Sequence, residues 1–280
     1  MSKIQFKKMH GLGNDFVVID DRDGTLALGP TEASAIGNRR TGVGFDQLLI
    51  LEVPTANGAD VFMRIRNPDG SEAEACGNGT RCVASQVMDE LGRDAANVET
   101  VAGILKTRRQ PDGRVSVDMG SANLDWQAIP LSEKIDTLNI GISAGPLNDP
   151  VGVNIGNPHA VFFVDDVSAI PLEEIGPELE HHPMFPERAN IEVVEVTGPD
   201  QLRMRVWERS AGITQACGSG ACAVAVAAHR RGLTGRKVDV MLDGGLLNIE
   251  WRDDNHVLMT GPVAISYAGE LDPSLLSGPR

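Results

Sequence analysis

The sequence predicts an α+β protein built from two homologous domains, each wrapping strands around one central helix, with a single site in the cleft between them. Three observations predict it. An internal repeat spans the chain, strands outnumber helices without alternating with them one for one, and one helical segment is apolar on every face. The repeat is carried by MRIRNPDGSEAEACGNG, Met63 to Gly79, which lies without a gap on MRVWERSAGITQACGSG, Met204 to Gly220, so that Cys76 and Cys217 stand 141 positions apart in 280 residues. A second match at an offset of 143 sets Gly13-Asn14, an apolar run and Asp20-Asp21 on Gly156-Asn157, an apolar run and Asp165-Asp166. Self-similarity at half the chain length reads as duplication of one unit of ordinary domain size. The division expected is 1–121 with 266–280 for the N-terminal repeat and 122–265 for the C-terminal one.

The elements follow in the same order in each half. Short alternating or apolar runs predict strands at Ile4 to Met9, Phe16 to Asp20, Gln47 to Val53 and Val61 to Arg66, with a small helix around Glu32 to Arg39. After the cysteine segment, Val83, Val87 and Leu91, with Ala84 and Met88 beside them, keep a helical period that stops at Gly92. Strands at Val98 to Leu105 and Val115 to Met119 follow. The second half predicts strands at Val151 to Ile155, Ala160 to Val164, Ile191 to Val196 and Leu202 to Trp207, then a helix from Gly218 to Arg231 ending at Gly232. Its stretch Ala221 to Ala228 has no polar face, and such a helix must be enclosed by its own domain. Helices too few to cross over between successive strands disfavour a doubly wound sheet.

Composition narrows the partners. With 25 Lys and Arg against 39 Asp and Glu the formal charge is −14, the wrong sign for a protein whose affinity comes from phosphate neutralisation, so no nucleic acid is expected. Aromatic residues at 4% are too few for a base-stacking platform. No stretch reads as a signal peptide or a membrane helix, which points to a cytoplasmic protein without a membrane partner. The four cysteines, Cys76, Cys82, Cys217 and Cys222, are expected as thiols in a reducing compartment. Their spacing is not Cys-x-x-Cys, and His10 and His159 do not complete a ligand set, so no metal is expected.

What remains is the chemistry of a cysteine at a helix start. Cys76 precedes Gly77-Asn78-Gly79 and Cys217 precedes Gly218-Ser219-Gly220. Glycines there leave backbone N–H groups approachable, and with the helix dipole they suit a carboxylate. The same field is expected to lower a thiol pKa from about 8.5 towards neutrality. Two such units facing each other place a sulfur on either side of the carbon bearing that carboxylate. The reaction this suits is removal of a proton from one face and return to the other, with one thiolate as base, one thiol as acid and no cofactor. The N–H groups that hold the carboxylate also stabilise the enolate-like carbanion. An isolated cysteine is more often a small buried hydrophobe, and Cys82 and Cys222, inside the helices, fit that description.

The stretches HGLGNDFVVID, GVGFDQLL, RNPDGSEAEACGNGTRC, GNPHAVFFVDD, FPERANIEVVEV and ERSAGITQACGSGACA together resemble the diaminopimelate epimerase family over essentially the full chain. The resemblance implies inversion at one centre of LL-2,6-diaminoheptanedioate to give the meso form, on the route to lysine and peptidoglycan, with Cys76 and Cys217 as the two bases. It implies substrate contacts at Asn14, Gln47, Asn67, Asn157, Asn190, Glu208 and Arg209, together with Gly77-Asn78 and Gly218-Ser219. It also places His159 and Glu208 near the cysteines, where they assist the protonation states of the catalytic pair, and it implies a homodimer. A substrate with two ammonium and two carboxylate groups needs donors and acceptors, which Asn and Gln side chains combine; Arg209 can grip the distal carboxylate and Glu208 can meet an ammonium.

One position departs from the family pattern. Ser210 stands where Gly usually follows Glu-Arg, and if that position needs a positive φ the serine is strained. Two rival readings stay open on the sequence: a proline- or hydroxyproline-type racemase on the same scaffold, which would leave Arg209 and the asparagines with less to bind, and a non-catalytic thiol sensor or anion-binding protein.

Overall fold

The computed structural model describes residues 3–26 and 28–276. The chain divides into two compact units, Met1–Val117 with Gly261–Arg280, and Asp118–Thr260. Residues 1–2, 27 and 277–280 of the first expected domain lie outside the described residues.

The first unit is laid out as β1 (Ile4–Gly11), β2 (Asn14–Asp20), α1 (Pro30–Gly37), β3 (Gln47–Glu52), β4 (Val61–Arg66), β5 (Glu72–Ala73), α2 (Gly77–Leu91), β6 (Ala95–Thr100), β7 (Gly103–Arg109) and β8 (Val115–Ser121). The second holds β9 (Ser143–Ala144), β10 (Leu147–Asn148), β11 (Val151–Asn154), β12 (Pro158–Phe163), α3 (Leu172–Glu180), β13 (Asn190–Gly198), β14 (Gln201–Glu208), β15 (Gly212–Ile213), α4 (Gly218–Arg230), β16 (Lys237–Leu242), β17 (Gly245–Trp251) and β18 (His256–Gly261). A last strand, β19 (Ala264–Leu271), returns to the first unit and pairs antiparallel with β1.

Strand pairing reproduces the repeat. In the first unit β1–β2 is antiparallel, β2–β3 parallel, β3–β4 antiparallel, β4–β6 parallel, and β6–β7 and β7–β8 antiparallel. The second unit runs β11–β12, β12–β13, β13–β14, β14–β16, β16–β17 and β17–β18 with the same sequence of senses. β5 and β15 each form a short flap on the strand before the cysteine segment.

Alternation along the central strands sends successive side chains to two cores, because strand side chains have a period of two. Phe16, Val18, Leu49, Leu51, Met63 and Ile65 pack on α2 through Val83, Val87 and Met88, while Val17, Ile19, Leu48 and Ile50 pack on α1 through Ala33 and Ile36. In the second unit Ile191, Val193, Ala160 and Phe162 pack with Leu172, Ile175 and Leu179 of α3. The other face of β12 and β13 therefore carries His159, Val161, Asn190, Glu192 and Val194. α4 is enclosed: Ala221 through Ala228 are all buried.

Both long helices stop as the glycines dictate. Gly92 takes a left-handed conformation, φ 63°, and its N–H closes on the Met88 carbonyl; Gly232, one residue past the α4 cap, has φ 70°. The single strand expected over Val98 to Leu105 is instead a hairpin, β6 and β7, turning at Val101-Ala102. Gly103, with φ 124°, supplies a backbone conformation closed to other residues and breaks the apolar run that reads as one strand.

Candidate active site

Each cysteine is the N-cap of its helix. Cys76 and Cys217 both have extended backbone conformations, and their sulfurs accept the N–H of the third helical residue, Gly79 and Gly220, each at 3.3 Å. A helix start has four N–H groups without intrahelical partners, and here the sulfur takes one of them; the positive end of the helix dipole at such a start favours an anion. Space at the third position is tight, more so at Gly220 than at Gly79. A methyl group on Gly79 would sit 3.1 Å from Leu49 Cδ1 and 3.4 Å from Cys76 Sγ, and one on Gly220 would sit 2.8 Å from Glu192 Oε1 and 3.2 Å from Cys217 Sγ.

In the first unit the asparagines are chained together. Asn78, buried, donates from Nδ2 to Asn14 Oδ1 at 3.2 Å, while Asn14 Nδ2 donates to Asp46 Oδ2 at 2.9 Å. Asn78 Oδ1 accepts from the buried Arg81 guanidinium at 2.9 Å. Arg39 bridges Asp46 and Asp15, and Lys8 also pairs with Asp15. Burial acts to raise the Asp15 pKa, but the hydrogen bonds and charges of Arg39 and Lys8 outweigh it and hold the carboxyl below its usual range. Gln47 Nε2 donates to Asn67 Oδ1 at 3.2 Å, and Asn67 Nδ2 donates to Ser71 Oγ at 3.0 Å. The residues expected in this half thus form two linked pairs, Asn14 with Asn78 and Gln47 with Asn67, beside the helix start that Cys76 caps.

The second unit surrounds its cysteine with ionisable groups. Cys217 is buried and its sulfur lies 3.6 Å from Ser219 Oγ. Glu208, at the end of β14, takes hydrogen bonds from the Thr214 hydroxyl and the Cys217 thiol. Burial pushes the Glu208 carboxyl up, nearby Glu192 adds to this, and the Thr214 and Cys217 hydrogen bonds and His159 offset only part of it. Cys217 departs from the expectation of a lowered pKa. Burial pushes its thiol well above the ordinary value, Glu208 and Glu192 reinforce the effect, and the hydrogen bonds from Ser219 and Gly220 do not compensate. The helix field is outweighed first by burial of the sulfur and then by the two carboxyl groups that share its pocket. Cys82, fully buried, is pushed up to about 12, as expected of a packed thiol.

Asn190 is buried and bound to backbone on both sides, donating to the Pro158 carbonyl at 2.9 Å and accepting the Arg209 N–H at 2.9 Å. It joins the start of β12 to the turn that presents Glu208 and Arg209. The Arg209 guanidinium donates to the Glu187 carbonyl at 3.2 Å. Ser210 does occupy the left-handed region, φ 64°. It is held there by Glu180, whose buried carboxylate accepts the Ser210 N–H at 2.9 Å and Trp207 Nε1–H at 2.7 Å. His159 is fully buried, with Nε2 at 2.8 Å from Asn157 Oδ1 and Nδ1 at 2.6 Å from Glu192 Oε1.

With this geometry in place, comparison with known proteins is decisive. The model of the family described as Diaminopimelate epimerase matches residues 6–124 and 151–266. The chain belongs to the diaminopimelate epimerase family. The diaminopimelate epimerase of Rhodospirillum centenum is 60% identical over 274 residues, spanning 98% of this chain and 94% of its own. That of Acidiphilium cryptum is 52% identical over 272 residues, spanning 97% and 98%. Among solved structures, a probable proline racemase from Agrobacterium radiobacter superposes with a TM-score of 0.70 at 15% identity over 96% of this chain and 93% of its own. A hydroxyproline epimerase from Agrobacterium vitis superposes with 0.69 at 17% identity over 97% and 94%. These last two share the fold.

Within this member of the diaminopimelate epimerase family, the residues that sequence reasoning misses are those behind the site: Asp46, Arg81, Glu180, Glu192 and Thr214. Glu192 leaves a signal. It is a carboxylate inside the apolar run Ile191 to Val194 of a strand buried on both faces, where charged residues are rare unless paired. No group of three or more His, Cys, Asp or Glu among the described residues is arranged to hold a metal.

Proposed function

We infer that the chain interconverts LL- and meso-diaminopimelate by moving a proton across one α-carbon, with Cys76 and Cys217 as the acid–base pair. The observation that carries this reading is the duplicated N-cap: two thiols in two copies of one unit, each at a helix start able to receive a carboxylate. One sulfur, as thiolate, takes the α-proton while the other, as thiol, delivers a proton to the opposite face. The thiolate ends as a thiol and the thiol as a thiolate, so no oxidant, reductant or cofactor enters the balance. The carboxylate carries the developing negative charge, and helix N–H groups that already hold it stabilise that charge without reorganising.

Cys217 is the better candidate for the resting acid, because burial and two carboxylates favour its protonated form. Cys76, only partly buried, is then the resting base. Asn14, Gln47, Asn67, Asn157, Asn190, Glu208 and Arg209 serve the amino and carboxyl groups of the substrate, with Gly77-Asn78 and Gly218-Ser219 at the reacting end. His159 and Glu208 support the protonation state of Cys217.

The reading extends to a homodimer in the cytoplasm. Ile265 and Tyr267 on β19 are 59% and 49% exposed, an apolar surface suited to a second copy, and free cysteines suit a reducing compartment. The test is an assay of purified protein with LL-diaminopimelate, meso-diaminopimelate and L-proline as separate substrates. Interconversion of the first two with none of the third is expected. Racemisation of proline alone would replace this reading with the proline-type one.

A further inference from the structure

At the matched place directly behind the cysteine the two units differ in chemistry. In the parallel pair β2–β3 Phe16 stands opposite Gln47, and in β12–β13 His159 stands opposite Asn190. Two residues further along β3 and β13, on the same face, come Leu49 and Glu192. Each is the side chain that meets the third residue of its cysteine-capped helix, as the contacts at Gly79 and Gly220 record. Phe16 and Leu49 in the first unit are thus replaced by His159 and Glu192 in the second, and all four side chains are fully buried. A carboxylate–imidazole pair taken wholly out of water is seldom worth more to stability than the apolar pair of the same volume. The first unit closes the same scaffold with that apolar pair, so packing alone does not account for His159 and Glu192.

Hydrogen bonding limits what the pair can be. Both nitrogens of His159 face oxygen atoms, Glu192 Oε1 at 2.6 Å and Asn157 Oδ1 at 2.8 Å. With Glu192 against Nδ1 and Asn157 against Nε2, both nitrogens of the ring are engaged, so its orientation is fixed. The second oxygen of Glu192 has no hydrogen-bond partner among the described residues. The other titratable groups of this pocket are Glu208 at the end of β14 and Cys217 at the start of α4.

We propose that Glu192 is a positioning residue for proton transfer at Cys217: it fixes the His159 ring through Nδ1 and sets a carboxyl group behind the turn that the sulfur caps. The inference rests on the reading of Cys217 as an acid–base group. Glu192→Gln retains the shape and a hydrogen bond to Nδ1 but removes the ionisable carboxyl. It is expected to lower kcat by about tenfold or more, the usual effect of losing an outer-shell carboxylate on a working histidine, with KM within about twofold of wild type, and to move the pH profile of kcat.

A second variant separates chemistry from folding. The double replacement His159→Phe with Glu192→Leu copies the first unit, and it is expected to melt at or above the wild-type temperature while losing turnover. Wild-type kcat and pH profile in Glu192→Gln, or retained turnover in the double variant, would overturn the proposal. A lowered melting temperature in both variants would also overturn it, by making the role structural. Cys217→Ala is assayed alongside: if it is active, the reading of Cys217 itself fails; if it is inactive while Glu192→Gln behaves as wild type, only the role of Glu192 fails.

Discussion

At Gly220 a single added methyl would press on both the Glu192 carboxylate and the Cys217 sulfur. Gly220→Ala is therefore expected to fold and to lose most turnover, which a steady-state assay and a melting curve together would show; turnover near wild type would mean that this spacing is not critical. Exposure and proton affinity also rank the thiols. Cys76 is partly buried, whereas Cys217 is buried with its thiol pushed up and Cys82 and Cys222 are fully enclosed. Brief treatment with iodoacetamide at neutral pH should label Cys76 first, read by peptide mass spectrometry; Cys82 labelled first would contradict the packing. Ser210 holds a left-handed conformation that costs an L-residue roughly 1–2 kcal/mol. Part of that is returned to the unfolded chain by glycine, so Ser210→Gly should stabilise by about 0.5–1 kcal/mol in a denaturant titration. The departure was legible in the sequence, as a serine where the resembled family carries glycine, but whether it is strained depended on a positive φ that only the structure shows. The Glu180 carboxylate that sustains it was not legible, since it lies 30 positions away and only the fold brings it to the Ser210 N–H.

Among the elements, each helix start has a cysteine sulfur as its cap, and the proposed acid–base role separates from the capping role by substitution. Serine is a strong N-cap, so Cys76→Ser should keep the α2 cap and stay within about 0.5 kcal/mol of wild-type stability, while a hydroxyl with far lower acidity removes the base. A folded, inactive variant is expected by circular dichroism and assay; an active one would reduce the sulfur to a cap. The helices α2 and α4 and their glycine stops were legible because apolar periodicity and a terminating glycine agree. α3 was not, because Gly176 and Pro177 sit inside it and read as breakers. Gly176 is there for contact, since a methyl group on it would meet the Trp207 ring at 2.6 Å. β6 and β7 look like one strand in the sequence because the turn between them is only Val101-Ala102, which carries no polar turn former.

For the whole molecule, duplication explains both the symmetry of the fold and its departure from symmetry. The same order and sense of strand pairs recurs in each unit, yet one unit backs its cysteine with Phe16 and Leu49 and the other with His159 and Glu192. The repeat was legible from Cys-Gly-x-Gly and Gly-Asn alone; the asymmetry was not, because it needs the register of β3 against β2 and of β13 against β12. Buried thiols give the molecule a pH signature. Cys82 and Cys217 have folded pKa values above the unfolded value of about 9. Above that pH the native state holds more protons than the unfolded chain, so stability is intact below pH 9 and falls as pH rises beyond it. The slope is about 1.4 kcal/mol per pH unit for each such thiol. Melting between pH 7 and 10.5 should show this decline, and Cys82→Ala should make it shallower; a flat profile would contradict the burial of the thiols.

The central claim is that two thiols exchange protons across one carbon. It is tested most directly by incubating the protein with LL-diaminopimelate in deuterated water and locating the label by NMR. Deuterium on the α-carbon that inverts, with none at the other centre in the first turnovers and no net conversion by Cys76→Ala or Cys217→Ala, is the predicted result. Inversion without solvent deuterium at that carbon, or full turnover by either cysteine variant, would contradict it.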